Sequence, residues 1–135
     1  MRAYFGRRYS LSASHRLHAA SLSQEQNRAI YGKCNNPHGH GHNYVVDVLM
    51  GGEVNPQTGM VVDLADLDRV VRERVLSRFD HANLNLDPLF AARVPTTENL
   101  CTAVFKLLDD RIGSAELVRV RVEETENNFF ECKRN

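Results

Sequence analysis

The chain has 135 residues, of which 42% are hydrophobic, with 17 basic and 17 acidic side chains and a formal net charge of zero. That length supports one domain over residues 1–135 with a real core, and not two. The balanced charge excludes the electrostatic footprint of a nucleic-acid or anionic-membrane binder. Three cysteines (Cys34, Cys101, Cys132) with no CxxC pair argue against a disulfide framework and fit a reducing, cytoplasmic setting. The first residues, Met1 to Tyr9, lack an apolar signal core, and no run approaches transmembrane length.

Residues 2–15 alternate, with Ala3, Phe5, Tyr9, Leu11 and Ala13 on one parity and Arg2, Arg8, Ser10 and Ser12 on the other. That is the period of a half-buried strand, and His15 continues its apolar side. Residues 16–39 show no steady period and end in Gly32, Asn35, Asn36 and Pro37, which reads as loop. A second strand is expected from His40 to about Val54, bent near Gly51-Gly52. After a turn over Asn55 to Gly59, Met60-Val61-Val62 reads as extended.

Asp63 reads as an N-cap, with Asp66 in the first turn of a helix whose Leu64, Leu67, Val71 and Val75 recur at helical spacing as far as Phe79. A long loop, Asp80 to Pro95, follows. A second helix starts near Thr96-Thr97-Glu98 and carries the stripe Leu100, Ala103, Val104, Leu107, Leu108 before Gly113. Leu117 to Glu124 alternates again, with Val118, Val120 and Val122 expected inward and Arg119 and Arg121 outward. Phe129 to Lys133 is expected as a last strand. The order β-β-α-α-β-β defines an antiparallel α+β domain.

Chemistry concentrates in Cys34 to Tyr44, C-N-N-P-H-G-H-G-H-N-Y. In a strand starting near His40, residues two apart share a face, so His40 and His42 project together. Two imidazoles on a rigid element are half of a metal site, and three nitrogen ligands with an open position make the catalytic zinc arrangement. The third ligand is open between His15 and His18, and parity alone does not separate His38 from the pair, although Pro37 and Gly39 leave it in the loop. A closed structural site with Cys34 as fourth ligand is the competing arrangement. Cys34, six residues before a candidate ligand, is also a candidate reactive thiol. Asp80-His81 is an acid–imidazole pair suited to proton transfer. Glu124 shares parity with apolar residues and is either a strand end turned to solvent or a two-oxygen acceptor for a ligand's N–H groups. Cys101 and Cys132 read as structural.

Taken together, these blocks resemble the 6-pyruvoyl tetrahydropterin synthase family over nearly the whole chain. They are S-A-S-H-R-L (12–17), Y-G-K-C-N-N-P-H-G-H-G-H-N-Y (31–44), N-P-Q-T-G-M-V-V-D-L-A-D-L (55–67), F-D-H-A-N-L (79–84), P-T-T-E-N-L (95–100) and E-T-E-N-N (124–128). The resemblance implies the tunnelling fold, a four-stranded antiparallel sheet with two helices on one face. It also implies a homo-hexamer built as a dimer of trimers, with active sites between subunits. The implied zinc ligands are His15, His40 and His42; the implied proton-transfer residues are Cys34, Asp80 and His81. Glu124 is implied as the pterin anchor, with Thr97 and Glu98 lining the pterin pocket.

The implied reaction is zinc-dependent conversion of 7,8-dihydroneopterin triphosphate to 6-pyruvoyl-tetrahydropterin with triphosphate elimination, a lyase reaction needing no external redox cofactor. Formation of 6-carboxy-5,6,7,8-tetrahydropterin with loss of acetaldehyde, which feeds queuosine synthesis, is the alternative within the family. The spacing C-N-N-P-x-G-H-G-H-N-Y looks more like the pyruvoyl type. A third branch, making 6-hydroxymethyl-dihydropterin, has Glu where this chain has Cys34. A non-catalytic zinc or pterin-binding module is the remaining alternative. Lys33, Arg16 and Arg28 lie near these blocks in sequence only, and the spacing assigns none of them to the triphosphate.

Overall fold

A computed structural model describes residues 1–134. Two long strands, β1 (Arg2–His15) and β2 (His40–Glu53), pair antiparallel along their whole lengths, from Arg2 opposite Glu53 to His15 opposite His40. Further on, β5 (Ala115–Thr125) pairs antiparallel with β2, and β6 (Asn128–Lys133) with β5. These four long strands form the expected antiparallel sheet. Two-residue strands add to it: β3 (Ala82–Asn83) runs parallel to β1, and β4 (Arg111–Ile112) pairs with β5.

The helices lie on one face. One run comprises α2 (Leu64–Val71), a π-helical segment (Arg72–Leu76) and α3 (Ser77–Phe79); the other is α4 (Thr97–Leu108). Asp63 caps α2 by accepting from the Asp66 N–H, and Thr96 caps α4 by accepting from the Asn99 N–H. Val71, Val75 and Phe79 are fully buried four residues apart, a spacing that the wide turn between them keeps on one side. They pack with Leu67, Leu100, Val104 and Leu108 against the inward residues Leu11, Tyr44, Val46, Val48, Leu117, Val120 and Val122. The opposite sheet face is mostly polar, with Asp47 bridging Arg8 at 2.8 Å and Arg121 at 3.1 Å. Among the described residues, no helix is long and apolar enough to cross a membrane.

The structure differs from the sequence expectations in three places. Residues 16–39 contain α1 (Gln24–Tyr31) and a 3-10 turn (Gly32–Asn35). The only residue α1 buries is Asn27, so it has no apolar stripe to betray it. Its sequence signal is the capping box, in which Ser23 accepts from the Gln26 N–H while the Gln26 side chain accepts from the Ser23 N–H. Met60 to Val62 is not strand, with a bend at Val61 and Val62, and only Val62 is buried there. Val118 is not inward, because a bulge sets Leu49 opposite Arg119 and Met50 opposite Leu117. The skipped residue turns toward Gly51, where a Cβ would come within 2.9 Å of the Val118 Cγ2. Ala115 and Leu117 therefore share the core face with Val120 and Val122 across the bulge.

Candidate metal centre

The β1–β2 register builds the centre. His15 is the Cα partner of His40, and His42 lies opposite Ala13 two residues along the same face. The three rings meet edge to face, with centroid separations of 4.8 Å (His15–His40), 5.0 Å (His15–His42) and 4.7 Å (His40–His42). One nitrogen from each lies within 4.8 Å of the others.

The second contacts aim these nitrogens. His15 is 2% exposed, and its Nδ1 lies 2.8 Å from the Pro95 carbonyl, which accepts its proton. That hydrogen bond selects the tautomer with a free Nε2 lone pair, the usual outer support of a metal-binding imidazole. The Tyr44 hydroxyl sits 3.3 Å from the same Nδ1. Nε2 of His15 and Nε2 of His42 are buried without a hydrogen-bond partner among the described residues. Buried polar atoms left unpaired cost free energy, so two facing one point fit a cation that would accept their lone pairs. Three neutral imidazoles are a donor set that would hold a borderline divalent cation. His18 is engaged elsewhere, its Nδ1 3.0 Å from the Asn35 side-chain nitrogen, and His38 is exposed in the loop.

Loop 16–39 returns in register because its ends are tied together. Leu17 N–H donates to the Cys34 carbonyl (2.8 Å), Asn35 Nδ2 donates to the Leu17 carbonyl (2.7 Å), and Arg16 Nε donates to the Asn35 carbonyl (3.2 Å). Gly39 completes the return at φ 70, and a Cβ there would lie 2.8 Å from the His15 carbonyl oxygen. Gly39→Ala should therefore push His40 away from His15. The expected outcome is a loss of about 1–3 kcal/mol in stability together with reduced metal content. Unchanged melting and metal stoichiometry would contradict it.

Glu124 reaches the centre from β5. Its Oε1 lies 3.6 Å from His42 Nε2, and its Oε2 accepts from the Thr97 hydroxyl. Cys34 lines a cavity of about 590 Å³ together with His40. Burial, and after it the charge of Glu124, pushes the Cys34 thiol up. Asp80 and His81 sit on the outer edge of β1: Asp80 accepts from the Ser12 N–H at 2.9 Å and lies 3.1 Å from His81 Nδ1. The Ser12 N–H, with His81 contributing after it, holds the Asp80 carboxyl below its usual range. The His81 side chain is 82% exposed, its backbone has φ 60, and it lines a second cavity of about 490 Å³ with His42. Glu98 points into solvent from the first turn of α4, where its charge complements the helix N-terminus. Pro95 and Tyr44 carry no role in the sequence reading. Tyr44 shares a face with His42 by the two-residue period of a strand, whereas the Pro95 carbonyl has no sequence signal.

Burial lowers the pKa of both His15 and His42 below the ordinary histidine value, opposed by the Pro95 bond and by Glu124 respectively. Protonation of these rings therefore favours the unfolded and metal-free states. Their contribution to stability and metal affinity is present above about pH 6.5 and is lost as the pH falls below it. Metal titrations at about pH 7.5 and 5.5 should show a large drop in affinity at the lower value. A flat profile would contradict this reading.

An antiparallel α+β sheet carrying three convergent imidazoles, with a carboxylate and a thiol nearby, defines an enzyme site able to hold a metal ion. The model of the family "6-pyruvoyl tetrahydropterin synthase" matches residues 4–135. The human 6-pyruvoyl tetrahydrobiopterin synthase is 48% identical over 132 residues, covering 97% of this chain and 91% of that protein. A solved Caenorhabditis elegans 6-pyruvoyl tetrahydropterin synthase superposes with a TM-score of 0.92 at 41% identity, covering 100% of this chain and 97% of that one. An Archaeoglobus fulgidus protein, provisionally named 6-carboxy-5,6,7,8-tetrahydropterin synthase, is 40% identical over 95 residues, 70% of this chain and 76% of its own length. The chain belongs to the 6-pyruvoyl tetrahydropterin synthase family and has its tunnelling fold. It is an enzyme, a lyase of that family's type.

Proposed function

We infer that this chain is a zinc-dependent lyase that converts 7,8-dihydroneopterin triphosphate to 6-pyruvoyl-tetrahydropterin with elimination of triphosphate. The observation that carries this is the convergence of His15, His40 and His42, two of them with orphaned nitrogens, beside the Thr97–Glu124 pair. The high identity to proteins named for the pyruvoyl product supports the choice of reaction.

His15, His40 and His42 would hold the zinc. Bound there, the ion supplies positive charge that polarises the substrate's side-chain oxygens and favours the thiolate of a neighbouring cysteine. Glu124 accepts paired N–H groups of the pterin ring, and the Thr97 hydroxyl holds one of its oxygens in place. Glu98, exposed beside Thr97 in the first turn of α4, is assigned to the same pterin site. This anchoring leaves the substrate side chain facing the imidazoles. Cys34 takes a proton from the substrate side chain, and the Asp80–His81 pair supplies the complementary acid, with Asp80 orienting the ring through its Nδ1.

Within one chain Cys34 and His81 line different cavities. That separation fits active sites completed between subunits, and the assembly we propose is a homo-hexamer, a dimer of trimers. Native mass spectrometry of the loaded protein tests the assembly.

Mass spectrometry of the product from 7,8-dihydroneopterin triphosphate tests the reaction. A 6-pyruvoyl-tetrahydropterin product is expected. A 6-carboxy product with acetaldehyde would move the chain to the reading that the Archaeoglobus relative favours. No turnover by the zinc-loaded assembly would overturn the proposed reaction and leave a non-catalytic zinc or pterin-binding module.

A further inference from the structure

A triphosphate needs cations, and the groups assigned so far at the centre offer none from the protein. The cavity beside Cys34 does. Arg28, in the last turn of α1, and Lys33, in the 3-10 turn, both line it with Cys34 and His40. Gly32, at φ 57, reverses the chain between them, donating its N–H to the Arg28 carbonyl. A positive φ of this kind favours glycine, and the turn brings residues from either side of it to one cavity.

Both cations are exposed, and among the described residues neither has an ion-pair partner. Elsewhere the basic side chains are mostly spoken for: Arg2 by Glu116, Arg7 by Asp68, Arg8 and Arg121 by Asp47, Arg78 by Asp87. Between residues 16 and 46 the only acidic residue is Glu25. The cavity, at about 590 Å³, falls in the size range of ligand sites. Guanidinium binds phosphate oxygens through a planar fork, and ammonium acts as a mobile point charge.

We propose that Arg28 and Lys33 form the polyphosphate wall of the site, seating the triphosphate while the pterin side chain runs past Cys34 to the three imidazoles. This rests on the reaction proposed above and names the groups that select its phosphorylated substrate. In the elimination a C–H bond breaks to the base and its electron pair forms the new C=C bond. The C–O bond breaks with its pair leaving on the triphosphate, where the two cations offset the charge that develops.

The test is equilibrium binding to zinc-loaded Cys34→Ala protein, a background chosen to hold substrate without turnover. Affinities are measured for 7,8-dihydroneopterin triphosphate and for unphosphorylated 7,8-dihydroneopterin. Their ratio should fall by roughly tenfold or more in Arg28→Ala/Lys33→Ala, with zinc content and dihydroneopterin affinity unchanged. Arg28→Lys/Lys33→Arg should recover most of the ratio. A ratio unchanged within about twofold, or equal losses for both ligands, would overturn the proposal. Binding does not require chemistry, so the two readings fail separately. If the wild-type chain is inactive but the ratio still collapses, the reaction falls and the subsite stands. If it turns over and the ratio holds, the subsite falls and the reaction stands.

Discussion

Replacing His42 by alanine should empty the metal centre and lower turnover by roughly a thousandfold or more, because a metal ion held by three protein ligands has none to spare. The protein should still fold. Tyr44, Val46 and Val48 on the same face of β2 are at most 1% exposed and hold the strand against the helices without help from His42. The substitution also removes a buried nitrogen that has no hydrogen-bond partner among the described residues, so metal-free stability should not fall. Metal analysis, thermal melting and steady-state rates on one preparation separate these effects. A variant that retains one metal per chain and full turnover would place the metal elsewhere.

Cys34→Ala should behave in the opposite way, keeping the metal while losing about 10²–10⁴ in turnover, the usual contribution of a positioned base. The structural work of this residue is done by its backbone, since its carbonyl accepts from the Leu17 N–H at 2.8 Å. Alanine preserves that bond, so the loop that returns the chain to His40 should survive. If the thiol were instead a fourth ligand of a closed site, the variant would lose metal affinity and stability together. Metal content measured beside kcat decides between the two.

Much of this protein was legible in the residues themselves. Alternation over residues 2–15 and from His40 onward marked β1 and β2, and Asp63 and the Thr96 block marked the starts of the two long helical runs. That His40 and His42 share a face follows from the strand's two-residue period, which is a property of the backbone and needs no partner. Helix α1 escaped because its stability comes from the Ser23–Gln26 cap and the hydrogen bonds of Asn27, whose side chain holds Ala19, Leu22 and Ser23. A periodicity reading sees only apolar burial. Val118 was placed on the wrong face because the bulge is specified from outside its strand, where Gly51 on β2 leaves room for the skipped residue.

The sequence by itself determined the kinds of residues at the centre and the pairing of His40 with His42, since both depend on local chain geometry. By residue pattern alone the third position stays open between His15 and His18; the family resemblance implies His15, and the tertiary structure is what brings its ring to the pair. That placement rests on strand register across the excursion of residues 16–39, on the Asn35 contact that engages His18, and on the Pro95 carbonyl that orients His15. It also decided that Glu124 meets Thr97 and His42 while Cys34 and His81 line separate cavities. Such contacts join residues far apart in the chain and are selected by the packing of the whole sheet, so no local pattern carries them.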